Sequence, residues 1–150
     1  MIQRILVLSF AASFAVAMSA SSDEPAVAGT EVGKLTVVPV GLEKDAGSVM
    51  IKLSDSEADF ESEDAGFRHA IVKVENKQAV GVFEDVPHGE YAVKIFHDEN
   101  ANMKLDTNFV GMPKEKYGSS NDVRRLGPPI YEKARFRFEA EEATIEIEMR

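Results

Sequence analysis

Oxygen recurs at every second residue from Asp98 to Asp106. Asp98, Asn100, Asn102 and Asp106 offer it through their side chains, and Lys104 through its carbonyl. Calcium takes roughly six to eight oxygens at about 2.3–2.6 Å, and alternate residues of a tight loop aim theirs at one point. The expected cation ligands are therefore Asp98, Asn100, Asn102, Lys104 and Asp106, with Glu99 or Glu115 as a remote contributor and Ca2+ as the implied cofactor. In such a loop the sixth position favours Gly and the twelfth a bidentate Glu, but here they hold Met103 and Phe109. With two carboxylates in the set, affinity belongs to the weak, extracellular range. The competing reading is a self-bonded loop of Asx turns, in which the same oxygens accept from backbone amides.

Other chemistry is sparser. His97 continues the phase of Tyr91, Val93 and Ile95, which points its ring inward near the rim of the fold. There it can hydrogen-bond the loop backbone, or it can ligate a metal or move a proton beside Asp98. His69 and His88 fall in turns, so the histidines are too dispersed for a zinc motif. Ser119 and Ser120 lie in a Gly/Ser/Asn run without the strand-turn-helix context of a nucleophilic serine. Glycine patterns for phosphate are absent. Tyr117 and Tyr131 either offer a small aromatic contact surface or pack the loop onto the fold. An enzymatic reading rests on His97, Asp98 and Glu115 as a small hydrolase-like site. The wider alternative set of functional-loop residues is His97, Glu115, Tyr117 and Asn121.

These residues need a scaffold, and composition bounds it. The chain has 150 residues, a formal net charge of −9, 44% hydrophobic and 29% charged residues, and neither Cys nor Trp. A chain of this size buries roughly 68–70% of its extended surface around one core. An acidic balance disfavours nucleic acid, which needs Lys and Arg in clustered excess. Without Cys there are no disulfides, thiolate metal sites or cysteine nucleophiles. Met1–Arg4 is basic, Ile5–Met18 is apolar but shorter than the roughly 20 residues of a membrane span, and Ser19–Ser22 is small. Residues 1–20 are therefore expected to be a signal peptide, residues 21–33 a flexible tether and residues 34–150 one domain. The mature chain is expected to lack a transmembrane segment and to be exported to a bacterial periplasm or exterior.

Beyond the tether the apolar period is two. Val49, Ile51 and Leu53 alternate with polar neighbours, as do Tyr91, Val93 and Ile95, then Ala134, Phe136 and Phe138, then Ile145, Ile147 and Met149. Weaker strands are expected at 34–40, 69–74 and 79–84, and at most one helical turn within 54–63. The whole reads as an all-β antiparallel sandwich of immunoglobulin or prealbumin type, with about seven strands and one long ordered loop after Asp98. Val49, Ile51, Val93, Ile95, Phe136, Phe138, Ile145 and Ile147 are the expected core. The last two strands are expected to form a hairpin across 139–144, with Arg137 opposite Glu146 and Arg135 opposite Glu148. The Pro87-His88-Gly89 step before Tyr91 is expected to be a tight reversal, and it resembles the turn of secreted prealbumin-like and collagen-adhesin-like sandwiches.

The run Gly89-x-Tyr91-Ala92-Val93, then Ile95 to Asn100, Asn102, Lys104 to Asp106 and Asn108 resembles a bacterial exported family known as domain of unknown function number twenty-one forty-one. The similarity continues through Gly111-Met112-Pro113-x-Glu115-x-Tyr117-Gly118, Ser120-Asn121 and Gly127-Pro128-Pro129 to Phe136, covering roughly 34–150. Met103 stands where that family usually has Gly, Ser119 where it has Phe, and Asp122 where it has Asn. The resemblance implies a small exported sandwich with a conspicuous loop and assigns no activity. The combined expectation is a non-enzymatic binding or structural module acting on an unidentified exported protein or small ligand. The extracytoplasmic hydrolase is the alternative, although its comparison with transthyretin-related hydrolases lacks their terminal Tyr-Arg-Gly-Ser motif.

Overall fold

A computed structural model describes residues 30–63, 66–121 and 127–150. The expected signal peptide and most of the tether lie outside those residues, as does Asp122. Eight strands and two short helices follow in the order β1 (Val32–Val40), β2 (Ser48–Ser54), α1 (Glu57–Glu61), β3 (Arg68–Lys73), β4 (Gly81–Pro87), β5 (Gly89–Asp98), β6 (Tyr117–Ser119), α2 (Tyr131–Ala134), β7 (Phe136–Phe138) and β8 (Glu142–Glu148). They form an all-β sandwich. One sheet has the order β4-β1-β8, and the other β3-β2-β5-β6 with β7 also on β5. Among the described residues no helix is long and apolar enough to cross a membrane.

Period-two alternation makes the strands. β1 buries Leu35 and Val37 and half-exposes Thr36 and Val38, while β2 buries Val49, Ile51 and Leu53. The two inner faces meet in one core with Phe83, Val86, Tyr91, Val93, Ile95, Phe138, Ile147 and Met149. Six of the eight expected core residues are fully buried. Phe136 and Ile145 pack against the core while only partly buried.

The expected reversal at Pro87-His88-Gly89 is a corner between sheets, because β4 and β5 lie in different sheets. The Tyr91 hydroxyl donates to the Pro87 carbonyl at 2.8 Å and locks that corner. The expected hairpin of the last two strands does not form. β7 pairs with β5, Phe136 opposite Tyr91 and Phe138 opposite Gly89, whereas β8 crosses to the other sheet and runs parallel to β1, Ile145 beside Val37. Phe138 and Ile147 still share the core, from opposite sheets. Arg137 therefore pairs with Glu139 at 2.6 Å, and Arg135 with Glu132 and Glu90, not with Glu146 or Glu148. Because β1 and β8 run parallel, the sandwich is not wholly antiparallel.

The strand additional to the seven expected, β6, interrupts the long loop. Its Gly118 packs where a Cβ would meet the Glu148 carbonyl at 2.5 Å, and Tyr117 exchanges backbone hydrogen bonds with Arg150 at 3.1 and 3.0 Å. This three-residue strand thus joins β5 to the chain's last strand and returns the loop to the fold. The helices cover the face of β5 opposite the core, where Phe60, Ala92, Ala134 and Tyr131 form a second small cluster. Ser56 caps α1, its hydroxyl accepting from the Asp59 amide at 3.3 Å. Lys94 donates to the Phe60 carbonyl at 2.5 Å and sits 4.2 Å from that ring; burial pushes its ammonium below the usual lysine range.

Candidate functional site: the loop between β5 and β6

The loop leaves β5 at Asp98 and has almost no apolar interior of its own, so its polar side chains must order it. Asp98 is only 2% exposed. Its Oδ1 accepts from the Asn102 amide at 3.1 Å and its Oδ2 from the Met103 amide at 2.7 Å. Asn100 Oδ1 accepts from the same Asn102 amide at 3.1 Å, and Asn102 Oδ1 from the Lys104 amide at 2.8 Å. These are successive Asx turns, and they drive Ala101 and Met103 into the left-handed region, at φ 59° and 63°. Met103 therefore stands at a backbone position that suits glycine.

The same side chains also converge. Asn100 Nδ2 donates to Asp106 Oδ2 at 2.5 Å, and Asn102 Nδ2 donates to Asp106 Oδ1 at 2.9 Å. Asp98, Asn100, Asn102 and Asp106 thus form one linked cluster, and Lys104 joins it through its N–H. Among the described residues, no three His, Cys, Asp or Glu side chains group as metal ligands. The carboxylate share of the cluster is Asp98 and Asp106.

Glu115, 6% exposed, does something that spacing does not reveal. Its Oε1 accepts from the Glu99 amide and its Oε2 from the Asp106 amide, each at 3.0 Å. One buried carboxylate thereby clips both ends of the turn cluster, a charge-assisted pair that leaves neither amide unmet. Glu99 turns to Lys44, which hydrogen-bonds it and is held above the usual lysine range by that bond. Lys116 pairs with Glu43 at 2.8 Å and holds that carboxyl below the ordinary carboxylate range. Both contacts tie the loop to the 41–47 connection. Gly47, at φ 72°, lies against the Asp98 carbonyl, where a Cβ would collide with the backbone.

His97 is 1% exposed, and its Nε2 lies 2.7 Å from the Ala46 carbonyl. That geometry calls for an N–H on Nε2. Nδ1 lies 3.9 Å from Glu99 Oε1. The ring fastens the loop base to the β1–β2 connection rather than to the backbone of the loop itself. Tyr117 lies under the Arg150 guanidinium, 5.0 Å from its carbon, and Tyr131 packs edge-on against Phe60 at 5.7 Å. Asn121 donates to the Arg135 carbonyl at 2.9 Å, which assigns it to the end of α2 and not to the oxygen cluster.

Two features escaped the sequence reading. Ser120 accepts from the Val93 amide at 2.9 Å and donates to the Ala134 carbonyl at 2.6 Å, so it stitches β5 to α2. The loop also ends in an apolar tip. Thr107 and Pro113 bridge its neck, the Asn108 amide donates to the Met112 carbonyl at 2.8 Å, and Asn108 Oδ1 accepts from the Val110 and Met112 amides at 3.0 and 2.9 Å. Phe109, Val110 and Met112 project from this turn, Phe109 at 99% exposure. The only available sequence signal was Asn108-Phe109-Val110-Gly111, a turn signature carrying two large apolar residues.

Comparison with curated proteins finds no match, and comparison with solved structures finds none. A bacterial family described as an uncharacterized protein conserved in bacteria, DUF2141, matches residues 37–146, which span β1 to β8 and include the whole loop. The chain belongs to that family.

Proposed function

We propose that this protein is an exported, non-catalytic β-sandwich module of the immunoglobulin or prealbumin kind, with the 98–116 loop as its working surface and a weak calcium site in that loop. The observation that carries the reading is the convergence of Asn100 and Asn102 on Asp106, beside the buried Asp98 carboxylate. The Asn100 and Asn102 side-chain amides donate to the Asp106 carboxylate. Turning those two side-chain amides over would bring oxygen to the same place, and with the Lys104 carbonyl it would give a calcium ion its partners. The turn would break the bonds that Asn100 and Asn102 accept from backbone amides, and that competition keeps the affinity weak.

A non-catalytic role is supported by how the acid and base residues are used. His97 is committed to Ala46, Asp98 to two amides, and Glu115 to two more. General acid-base work needs a group within hydrogen-bond reach of a substrate proton, and each of these groups is engaged and buried. Export is supported by the basic, apolar and small segments of residues 1–20; intact-mass analysis of the protein from its host should lack them.

Titration calorimetry tests the site. Calcium should bind the protein with weak affinity, and Asp106→Asn, which keeps the shape and removes the charge, should abolish the heat. Magnesium should give less, since it tolerates an irregular oxygen cage poorly. An Asp106→Asn protein that binds calcium like the parent would remove the site.

A further inference from the structure

We propose that the Phe109-Val110-Gly111-Met112 turn inserts into the interfacial region of a bilayer containing anionic lipid. This rests on the reading of the loop as the working surface, but not on its cation. The tip is held by Asn108, whose side chain and backbone fix the turn, so its apolar groups are presented at little ordering cost. Exposed apolar clusters mark interaction surfaces, and a side chain at 99% exposure contributes nothing to the fold it belongs to.

Area and charge choose the partner. A stable protein interface covers roughly 800 Å² per side over about 20–30 residues, whereas this is a narrow projection of three side chains. A bilayer needs no complementary pocket, and apolar groups settle about 5–10 Å into the headgroup and acyl boundary. Lys104 and Lys114 flank the tip; both are exposed, and neither makes an ion pair among the described residues. Between residues 100 and 114 the only acid is Asp106, partly buried and occupied by two side-chain amides. In a chain of net charge −9 this segment carries two exposed lysines against one partly buried carboxylate, a local excess of positive charge. Screening within about 10 Å at 0.1 M salt lets that local field act without the distant acids. Lysine stems can lie along the lipid while their ammonium groups stay at phosphate level.

Vesicle co-sedimentation in EDTA tests this apart from the calcium reading. The protein should partition onto vesicles containing phosphatidylglycerol more strongly than onto phosphatidylcholine alone. Phe109→Ser with Met112→Ser should weaken partitioning by at least about tenfold. Lys104→Gln and Lys114→Gln should each weaken it about fivefold, and only on the anionic vesicles. Residues 5–18 are common to all these proteins and cancel in the comparison. Phe109→Trp adds the chain's first tryptophan, whose emission should shift to the blue on the anionic vesicles. Unchanged emission, or partitioning indifferent to the double serine variant, would overturn the proposal. So would a lipid-free dimer that the serine variant dissolves, since the tip would then be a contact between two copies.

Discussion

The strands and the loop solve the same problem with opposite materials. β2 and β5 are held by side chains that leave water: Val49, Ile51, Leu53, Val93 and Ile95 meet in a dry core. The loop after β5 is held by side chains that would ordinarily seek water. Asp98 and Glu115 are buried, yet each of their four oxygens meets a backbone amide. In the first region the polar backbone is satisfied by neighbouring strands, and side chains are free to be apolar. In the second there is no ladder, so buried carboxylates take the place of one. A polar residue in such a loop is as structural as a valine in a strand.

The largest effects should fall in the strands. Phe138→Ala empties a fully buried site between the sheets and should cost about 3–5 kcal/mol, measured by urea denaturation. Phe136→Ala removes a half-buried ring and should cost less, about 1–2 kcal/mol. Equal losses at the two positions would mean that Phe136 is buried as deeply as Phe138 on the same face of β7.

Removing the loop's clip comes next. Glu115→Ala leaves the Glu99 and Asp106 amides without their acceptor and should cost about 1–3 kcal/mol. Hydrogen exchange should locate the damage: the amides of 99, 102, 103 and 106 should speed up, while those of Val49 to Leu53 stay protected. Uniform acceleration across both regions would end the contrast drawn between them.

Met103→Gly should go the other way. It relieves a left-handed backbone position and should gain up to about 1 kcal/mol, after the extra entropy of glycine in the unfolded chain is subtracted. The smallest effect should come from the exposed Lys116–Glu43 pair. The folded Glu43 carboxyl is held below its ordinary range, so its contribution is present above that range and lost as pH falls through the folded value. Lys116→Met should therefore lower stability slightly near neutral pH and hardly at all in acid, so that the difference from the parent closes as pH falls through the folded Glu43 value.

The two regions also differed in how far the sequence could be read. In β2 and β5, alternation alone gave the strand, its inner face and the burial of His97 at the end of the phase. β6 was invisible because three residues carry no period; it exists through its pairing with β5 and Arg150. The final hairpin failed for a related reason. Burial fixed which faces of β7 and β8 look inward, but two strands with matching inner faces can pair, or can face each other across the core, and these do the latter. In the loop, oxygen spacing singled out Asp98, Asn100, Asn102 and Asp106, which hydrogen bonds link into one cluster. Glu115 was legible only as a candidate ligand, because clipping two amides across the turn is a tertiary event. Phe109 was noted for failing to be Glu, when its exposure is the more informative property.

On the proposed reading, the side chains that order the loop can also gather a calcium ion. Thermal unfolding in EDTA and in calcium tests it most directly, comparing the parent with Asp106→Asn. At about a hundred times its dissociation constant, calcium should stabilise the parent by about 2.7 kcal/mol, a shift on the order of 8 °C, and the variant hardly at all. Parent curves that coincide with and without calcium at that excess would contradict the reading, and would leave the loop as a structure complete in its own hydrogen bonds.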